Sequence, residues 1–369
     1  MNRHIVDMKV TPGRRIIAIS DIHAHLEVFQ RLLKKVNFSD DDLLVIVGDV
    51  IEGGPQSLAS LRTAMELAPR DNVVVLAGNW EAFVHALMVS DDGMKALKGR
   101  SLGVMEDSGT CLLYEMCREI GLTFDKNTDM AAIMPRIREH FAAEIQFMGR
   151  LPACLDTGEF FFVHGGAPTL DHETLRRLDD YAVLKNDEFA LQDVHFSRYQ
   201  VVGHWPVNNY GRALIATPHV DRERKIVSID GGMGKARCGQ LNALLLRAGE
   251  PETFHWEYED DFPKARALEG QAGSVDPLNI IWSQRQVERI SSKGGVSTVR
   301  HIASGRVVEL PDSFIFEYEG ELCSGSATDY RLNVEPGDVL SLMAETPMGL
   351  YCKKDGVVGW YSGEYERLV

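Results

Sequence analysis

Three stretches near the start of the chain decide the fold: RIIAISDIH at 15–23, LLVIVGD at 43–49 and NVVVLAGN at 72–79. Each is a short apolar run, typical of a strand buried on both faces, and each ends in a small residue followed by a polar side chain. Apolar residues at helical spacing follow the first run, over 24–36. The resulting β-α-β-α-β order predicts a parallel sheet with right-handed crossovers.

The polar residues after these runs are of metal-ligand types. Sites in open α/β sheets form beyond the carboxyl ends of the strands, so we expect these residues to meet at one rim. Two later runs end in the same way, at His164-Gly165-Gly166 and Gly203-His204. The candidate ligands are Asp21, His23, Asp49, Asn79, His164 and His204. This nitrogen and oxygen set is large enough for two divalent metals that share one carboxylate, and two metals about 3.5–4 Å apart can drive phosphoester hydrolysis.

The composition of the 369-residue chain is that of an ordinary globular protein, with 44% apolar and 25% charged residues. A formal charge of −15 argues against a general nucleic-acid binder, which needs a basic face. No apolar run reaches the roughly 18–20 residues of a membrane helix, and residues 1–7 contain no apolar leader. The six cysteines are scattered, as in proteins with reduced thiols. We therefore expect a cytoplasmic protein without nucleic-acid or membrane partners.

The length suggests one large and one small domain. We predict an α/β (α+β) domain over 1–256, with a helical insert over about 81–150 as a cap or lid. Strand-like segments resume at 159 without long helices between them, so we expect an antiparallel second sheet and a two-sheet sandwich flanked by helices. A linker is predicted over 257–277, and a small all-β, SH3-like barrel over 278–369. For that barrel we consider a peptide or dimer contact.

The ordered motifs Asp-x-His, Gly-Asp, Gly-Asn, His-Gly-Gly and Gly-His resemble those of the phosphoprotein phosphatase (PPP) family of calcineurin-like metallophosphoesterases, over about 14–247. The resemblance implies two metal positions that share Asp49. The first is held by Asp21, His23 and Asp49, and the second by Asp49, Asn79, His164 and His204. Such ligands suit Mn, Fe or Zn. The resemblance also implies that a metal-bridging hydroxide attacks a phosphate monoester, with a phosphoserine or phosphothreonine protein as substrate.

Other parts of the family pattern are altered, which makes the chain an atypical member. The family's Gly-Asn-His-Glu has Trp80 in place of its histidine, and an indole cannot donate a titrating proton to the leaving group. The family's phosphate-binding arginine is replaced by Gly53, and Glu52 stands where an aspartate orients the acid. A general acid contributes about 10²–10⁴ in rate, so these changes predict a weaker catalytic complement.

Three residues are candidates for the altered roles. His25, two residues after His23, is either the leaving-group acid or a solvated loop histidine. Lys185 lies where the family carries a second phosphate-binding arginine, and is either its substitute or a surface lysine. Glu52 retains the carboxylate that would orient the acid. Trp80 either stacks on an aromatic leaving group or packs as a lid residue.

Three functions stay open at this point. The first is a dinuclear-metal phosphatase for phosphate monoesters, similar to Ser/Thr protein phosphatases. The second is a hydrolase of dinucleoside polyphosphates or other small phosphorylated compounds, whose good leaving groups need little protonation. The third is a catalytically silent, metal-binding regulatory protein, which the loss of the family's arginine and histidine favours. The intact set of six candidate ligands argues for an enzyme.

Overall fold

The computed structural model describes residues 5–90 and 111–368. The chain divides into two compact units. The first comprises Met1–Trp205, Pro218–Gly234 and Leu241–Glu259, and the second comprises Pro206–Thr217, Lys235–Gln240 and Asp260–Val369. Residues 91–110, part of the predicted helical insert, lie outside the described residues.

The first unit has the predicted alternation of strands and helices. Its described strands are β1 (Ile5–Asp7), β2 (Arg15–Ile19), β3 (Leu43–Val47), β4 (Val73–Leu76), β5 (Cys154–Asp156), β6 (Phe160–Val163), β7 (Tyr199–Val202), β8 (His219–Asp221), β9 (Ile226–Ser228), β10 (Leu241–Arg247) and β11 (His255–Glu259). Its described helices are α1 (Leu26–Lys35), α2 (Ser57–Leu67), α3 (Asn79–Val89), α4 (Leu112–Glu119), α5 (Met130–His140), α6 (Ala142–Arg150), α7 (His172–Leu175) and α8 (Tyr181–Leu184), with a 3-10 turn at Phe189–Leu191. Helices α3 to α6 therefore occupy the described part of the predicted insert.

One five-stranded sheet contains the three stretches that begin the chain. Its order is β11-β10-β2-β3-β4. Strands β2, β3 and β4 are parallel, with Ile17 opposite Leu44 and Val45 opposite Val74. Strand β10 pairs antiparallel with β2. The crossovers α1 and α2 thus return the chain to the same edge of the sheet at the end of each strand.

The other sheet has six strands in the order β1-β5-β6-β7-β9-β8. It is mixed, because β6, β7 and β9 are parallel to one another and β1 is parallel to β5, while β5 pairs antiparallel with β6 and β8 with β9. The expectation of an antiparallel second sheet is therefore wrong. The connection from β6 to β7 contains α7, α8 and the turn at Phe189–Leu191, and a crossover of this length permits parallel pairing.

The two sheets of the first unit enclose one core. Alternate residues of the strands face inward, such as Ile16 and Ala18 from β2 and Phe160 and Phe162 from β6, all with no exposed surface. On the other face of the first sheet, Ile46 lies beside side chains of α1 and α2. This arrangement confirms the two-sheet sandwich flanked by helices, and it explains why β2, β3 and β4 are apolar at every position except Arg15.

The described part of the second unit is built of strands and short 3-10 turns. The strands are β12 (Lys264–Ala267), β13 (Asn279–Ile280), β14 (Val287–Lys293), β15 (Val296–His301), β16 (Val307–Pro311), β17 (Ile315–Tyr318), β18 (Glu321–Ser324), β19 (Ala327–Thr328), β20 (Val339–Thr346), β21 (Gly349–Lys354), β22 (Val357–Tyr361) and β23 (Tyr365–Leu368). They form antiparallel sheets in the orders β22-β21-β20-β12-β23, β14-β15-β16, β13-β19 and β17-β18. The all-β C-terminal region is thus confirmed, and its SH3-like topology stays a prediction. Trp360 and Tyr361 belong to its core.

The predicted linker over 257–277 differs from the structure. Its first residues complete β11, and β12 is a strand of the five-stranded sheet of the second unit. In β12 the buried residues are only Ala265 and Ala267, which alternate with the charged Lys264 and Arg266. Alanine adds little apolar signal, so this alternation resembled a polar connection. The segments 206–217 and 235–240, which we predicted within the large domain, belong to the second unit.

Candidate metal centre

Five of the six candidate ligands come within three residues of the end of a strand of the first unit. Asp21 and Asp49 follow β2 and β3, and Asn79 is the first residue of α3, after β4. Because these strands are parallel, their carboxyl ends lie at the same edge of the sheet. His164 and His204 follow β6 and β7, which are parallel to each other in the second sheet.

His164 connects the two sheets at this edge. Its Nδ1 lies 2.8 Å from the backbone oxygen of Val47, to which it donates. Its Nε2 lies 3.3 Å from Asp49 Oδ2 and 3.1 Å from Asn79 Oδ1. The ring of His204 has its centroid 5.3 Å from that of His164. The structure therefore brings Asp49, Asn79, His164 and His204 together.

His23 completes a second group on the other side of Asp49. Its Nδ1 lies 2.8 Å from the carbonyl oxygen of Glu52, which leaves Nε2 facing two carboxylates. That nitrogen is 3.7 Å from Asp21 Oδ1 and 3.8 Å from Asp49 Oδ2. Asp21, His23 and Asp49 have ligand-type atoms within 4.8 Å of one another, as do Asp49, His164 and His204. The two groups share Asp49, which is the arrangement that the resemblance to the PPP family implied.

The backbone is bent sharply at the candidate ligands. Four of them have positive φ angles: 55° for Asp21, 46° for His23, 51° for Asp49 and 68° for His204. Residues other than glycine rarely adopt this left-handed backbone conformation, because it costs about 1–3 kcal/mol per residue. Such conformations cluster at functional sites, so the backbone independently marks this edge as one.

Two glycines of the motifs lie too close to a neighbouring carboxylate to be replaced by a residue with a side chain. A Cβ atom on Gly78 would lie 2.1 Å from Asp49 Oδ1, and one on Gly203 would lie 2.3 Å from Asp21 Oδ2. No side chain fits at either distance. The Gly-Asn and Gly-His motifs therefore need glycine so that the carboxylates can sit against the neighbouring backbone.

The pKa values at this edge are strongly perturbed. Burial raises the pKa of Asp21 to about 6, and the charge of Asp49 adds to this effect. For Asp49, burial acts in the same direction, but His164 outweighs it and holds the pKa well below its usual range. Burial alone would lower the pKa of His164, whereas Asp49 and Asp21 raise it to about 10. Burial and the charge of His164 lower the pKa of His204 to about 4.

The donor set fits divalent metals. The carboxylates of Asp21, Asp49, Glu81 and Asp230 are each at most 2% exposed, and within the described residues none is paired with a lysine or arginine. Asp21 Oδ1 is buried and has no hydrogen-bond partner in the same part of the chain. Buried carboxylates that lack a lysine or arginine partner cost several kcal/mol each when ionised, and bound divalent cations would offset that cost. The carboxylate, imidazole and amide donors are those that such metals take.

Glu81 positions the shared carboxylate, a role that the sequence analysis missed. Its Oε2 accepts hydrogen bonds from Asp49 N at 3.0 Å and Gly78 N at 2.8 Å. Its Oε1 accepts from Val50 N at 2.8 Å and Ile51 N at 3.2 Å. The available signal is its place three residues after Gly78, the spacing of a capping box.

Trp80 contributes to the centre through its backbone. Its N–H donates to Asp49 Oδ1 at 2.9 Å, so the residue after Asn79 helps to hold the shared carboxylate. Its ring packs edge-on against Phe83, with the centroids 6.0 Å apart. The indole supplies no titrating proton, in agreement with the sequence analysis.

Glu52, predicted to orient the acid, has a different contact in the structure. Its carboxylate Oε1 accepts a hydrogen bond from Leu112 N at 2.9 Å, at the first turn of α4. Its backbone oxygen is the partner of His23 Nδ1. Glu52 therefore fixes the loop that carries His23 and anchors α4, while an acid-orienting role stays a prediction.

His25 lies beside the first group of candidate ligands. Its Nδ1 is 2.7 Å from the carbonyl oxygen of His23. Two glycines provide room for its ring, because a Cβ atom on Gly54 or Gly234 would lie 2.7 Å from His25 Cε1. These contacts position the ring within the first unit, and its role as leaving-group acid stays a prediction.

Lys185 is held by a carboxylate that the sequence analysis did not single out. Its Nζ lies 3.0 Å from Asp187 Oδ1, and His204 Nε2 lies 2.7 Å from the same oxygen. Burial would raise the pKa of Asp187, but hydrogen bonds from His204 and Lys185 lower it. The predicted phosphate-binding lysine is thus connected to a candidate metal ligand.

Comparison with known families agrees with this geometry. Residues 14–230, more than half of the chain, match the model of the calcineurin-like phosphoesterases. The chain belongs to this family. The two-sheet sandwich of the first unit is therefore that of a calcineurin-like phosphoesterase, and an all-β C-terminal region follows it in the chain. Proteins of this family typically bind two divalent metals, in accord with the two residue groups that share Asp49.

The curated relatives are matched over part of their length. The chain is 29% identical to a symmetrical bis(5'-nucleosyl)-tetraphosphatase from Vibrio parahaemolyticus over 161 residues, which is 43% of this chain and 47% of that protein. It is 27% identical to a protein of the same name from Nitrosomonas europaea over 177 residues, 46% of this chain and 64% of that one. The chain thus spans about half to two thirds of the length of these two relatives.

Solved structures resemble the chain more distantly. A metallophosphoesterase from Sphaerobacter thermophilus has 17% identity and a TM-score of 0.39, over 67% of this chain and 89% of that one. A protein serine/threonine phosphatase from Saccharomyces cerevisiae has 15% identity and a TM-score of 0.41, over 70% and 84%. Within the described residues, no helix combines the length and apolarity needed to cross a membrane.

Proposed function

We propose that this phosphoesterase uses two divalent metals, Mn, Fe or Zn, to hydrolyse a small phosphorylated compound of the dinucleoside polyphosphate type. The observation that carries the proposal is the pair of candidate ligand groups that share the buried carboxylate of Asp49. When bound, two such cations would supply an activated water and neutralise charge on the phosphoryl oxygens. The donor set, without thiolates, is the reason for preferring these metals.

Residues of the chain would position the metal ligands and bind the phosphate group. Glu81 and Trp80 hold Asp49 through backbone hydrogen bonds, so the shared carboxylate is preorganised. The carbonyl oxygens of Val47 and Glu52 fix the ring orientations of His164 and His23, and leave Nε2 of each directed at Asp49. Lys185, at the exposed end of this network, supplies a positive charge for a phosphate group.

The choice of substrate depends on the leaving group. Trp80 replaces the family's acid, and a nucleotide leaves as a stable anion without needing a proton. The names of the relatives from Vibrio parahaemolyticus and Nitrosomonas europaea support the same choice. A phosphoserine or phosphothreonine alkoxide, in contrast, needs a proton from a general acid.

A phosphate-monoester phosphatase similar to Ser/Thr protein phosphatases is the second candidate, and the position of His25 favours it. Its ring is held against the loop of His23 and could supply the missing proton. Hydrolysis of monoesters with poor leaving groups would then depend on this histidine, whereas hydrolysis of a dinucleoside polyphosphate would not.

The test is a comparison of substrates on the Mn²⁺-reconstituted full chain. We expect a higher kcat/KM for diadenosine tetraphosphate than for a phosphoserine peptide, and loss of both activities in Asp49→Asn. The control Asp193→Asn makes the same chemical change at an exposed position of the first unit and should keep full activity. A preference for the phosphopeptide would select the second candidate. Bound metal without turnover on any phosphoester would instead favour the silent regulatory protein.

A further inference from the structure

Asp187 makes two contacts at the edge of the candidate metal centre. Its Oδ1 lies 2.7 Å from His204 Nε2 and 3.0 Å from Lys185 Nζ. The side chain of His204 is 8% exposed, whereas those of Asp187 and Lys185 are 49% and 45% exposed. One carboxylate oxygen therefore joins a buried imidazole to an ammonium group at the surface.

The contact with Asp187 decides which nitrogen of His204 is available. A carboxylate can only accept a hydrogen bond, so the Nε2 that faces Asp187 carries the hydrogen and Nδ1 keeps its lone pair. A histidine that binds a metal commonly donates its other N–H to a carboxylate or carbonyl oxygen, which fixes the tautomer and the ring orientation. His164 and His23 have such a partner in the carbonyl oxygens of Val47 and Glu52. For His204, Asp187 takes that place.

The backbone of His204 is fixed separately from its ring. Its N–H donates to Asp21 Oδ2 at 3.0 Å, and its φ angle is 68°. The hydrogen bond to Asp187 is the contact that selects one ring orientation, so its loss should change metal binding more than folding.

We propose that Asp187 is a positioning residue that orients His204 towards the second metal and holds Lys185 at the entrance for a phosphate group. The inference rests on the proposed function and extends it to the support of the site. Lys185 can turn from Asp187 to an arriving phosphate while the bond between Asp187 and His204 stays in place. The carboxylate would thereby link substrate binding to the metal site.

The experiment measures metal binding directly. Mn²⁺ is titrated by calorimetry into the metal-free full chain, and the Co²⁺-loaded protein is examined by visible absorption spectroscopy. Asp187→Ala should weaken one of the two Mn²⁺ equivalents by about 10–100-fold, the usual effect of removing such a partner. Asp187→Asn keeps an acceptor oxygen and should recover part of this loss. A change in the Co²⁺ spectrum should accompany the weakened equivalent.

Two matched variants separate the roles. Lys185→Met keeps the contact between Asp187 and His204, so both Mn²⁺ affinities should stay within two-fold while KM for p-nitrophenyl phosphate rises. Asp193→Asn should change neither quantity. Circular dichroism of the metal-free variants checks folding, and Asp187→Asn carries the test if Asp187→Ala does not fold.

Unchanged affinity for both Mn²⁺ equivalents in the folded Asp187 variants would overturn the inference. This outcome is distinguishable from failure of the proposed function. A wild-type chain that binds Mn²⁺ but hydrolyses no phosphoester would refute the proposed function and still allow the role of Asp187 to be measured.

Discussion

Replacing Glu81 by glutamine should both destabilise the first unit and weaken metal binding. In the wild type, each carboxylate oxygen of Glu81 accepts two backbone N–H groups, from Asp49 and Gly78 on one side and Val50 and Ile51 on the other. Burial, reinforced by the charge of Asp49, raises the pKa of Glu81 to about 7. The side chain has no exposed surface, so water cannot replace a lost acceptor.

The size of the expected loss in stability follows from the number of backbone N–H groups that donate to Glu81. Glutamine keeps one acceptor oxygen and presents an NH₂ group, itself a donor, to the other pair of N–H groups. Two buried donors are then left without an acceptor, at about 1–3 kcal/mol each. The variant should therefore lose about 2–6 kcal/mol of unfolding free energy, a large share of the 5–15 kcal/mol typical of a folded protein.

Urea unfolding of the metal-free chain, followed by circular dichroism, measures this loss. Glu115→Gln is the control, because Glu115 also accepts backbone N–H groups at a helix start, from Ser57 and Leu58, both at 2.8 Å. That site is half-buried, so the control should lose less stability and keep its Mn²⁺ affinity. A Glu81→Gln protein within 1 kcal/mol of wild type would refute the assigned role of this carboxylate.

Three further outcomes are expected. His164 has a pKa of about 10 in the folded protein and about 6.5 when unfolded, so its protonation stabilises the fold below pH 6.5 and the effect is lost as the pH rises towards 10. Urea unfolding of the metal-free protein should therefore show falling stability from pH 7 to 10, and His164→Gln should reduce this slope. An unchanged slope in the variant would contradict the role assigned to His164. Gly78→Ala should abolish tight Mn²⁺ binding in calorimetry, because its Cβ would lie 2.1 Å from Asp49 Oδ1; wild-type affinity would contradict this. If His25 is the acid, His25→Ala should lower kcat for phenyl phosphate about 10²–10⁴-fold more than for an aryl phosphate with an activated leaving group, and equal effects would reject that role.

The candidate ligands could be predicted from the sequence because their signals are local. Asp21, Asp49 and Asn79 each follow an apolar run by a few residues, and the βαβ rule brings the ends of such runs to one edge. His164 and His204 follow similar runs, with adjacent glycines. Strand ends and glycine punctuation are therefore enough to locate this kind of site.

The supporting residues could not be predicted in the same way. Glu81 lies 32 residues from Asp49 in the sequence, and Asp187 lies 17 residues from His204. Nothing in the local sequence shows that these carboxylates reach their partners, because the contacts depend on the packing of separate loops. Similarly, the carboxylate of Glu52 accepts a hydrogen bond from Leu112 N, 60 residues away, a contact that no local pattern indicates.

The fold, like the site, could be predicted only where the sequence carries a strong local signal. The first sheet follows from continuous apolar runs and helical spacing, which are strong periodic signals. The pairing direction in the second sheet was wrong because α7 and α8 have only four residues each, too few for a recognisable period. Strand β12 was missed because its inward side chains are the alanines Ala265 and Ala267. Short elements and small buried residues leave little pattern for sequence analysis.

Electron paramagnetic resonance of the Mn²⁺-loaded chain tests the central claim most directly. If Asp49 bridges two ions about 3.5–4 Å apart, two bound equivalents should give an exchange-coupled signal, and Asp49→Asn should lose the coupling together with one equivalent. A wild-type protein that shows only isolated six-line Mn²⁺ spectra at two equivalents would contradict the shared carboxylate, and with it the dinuclear centre.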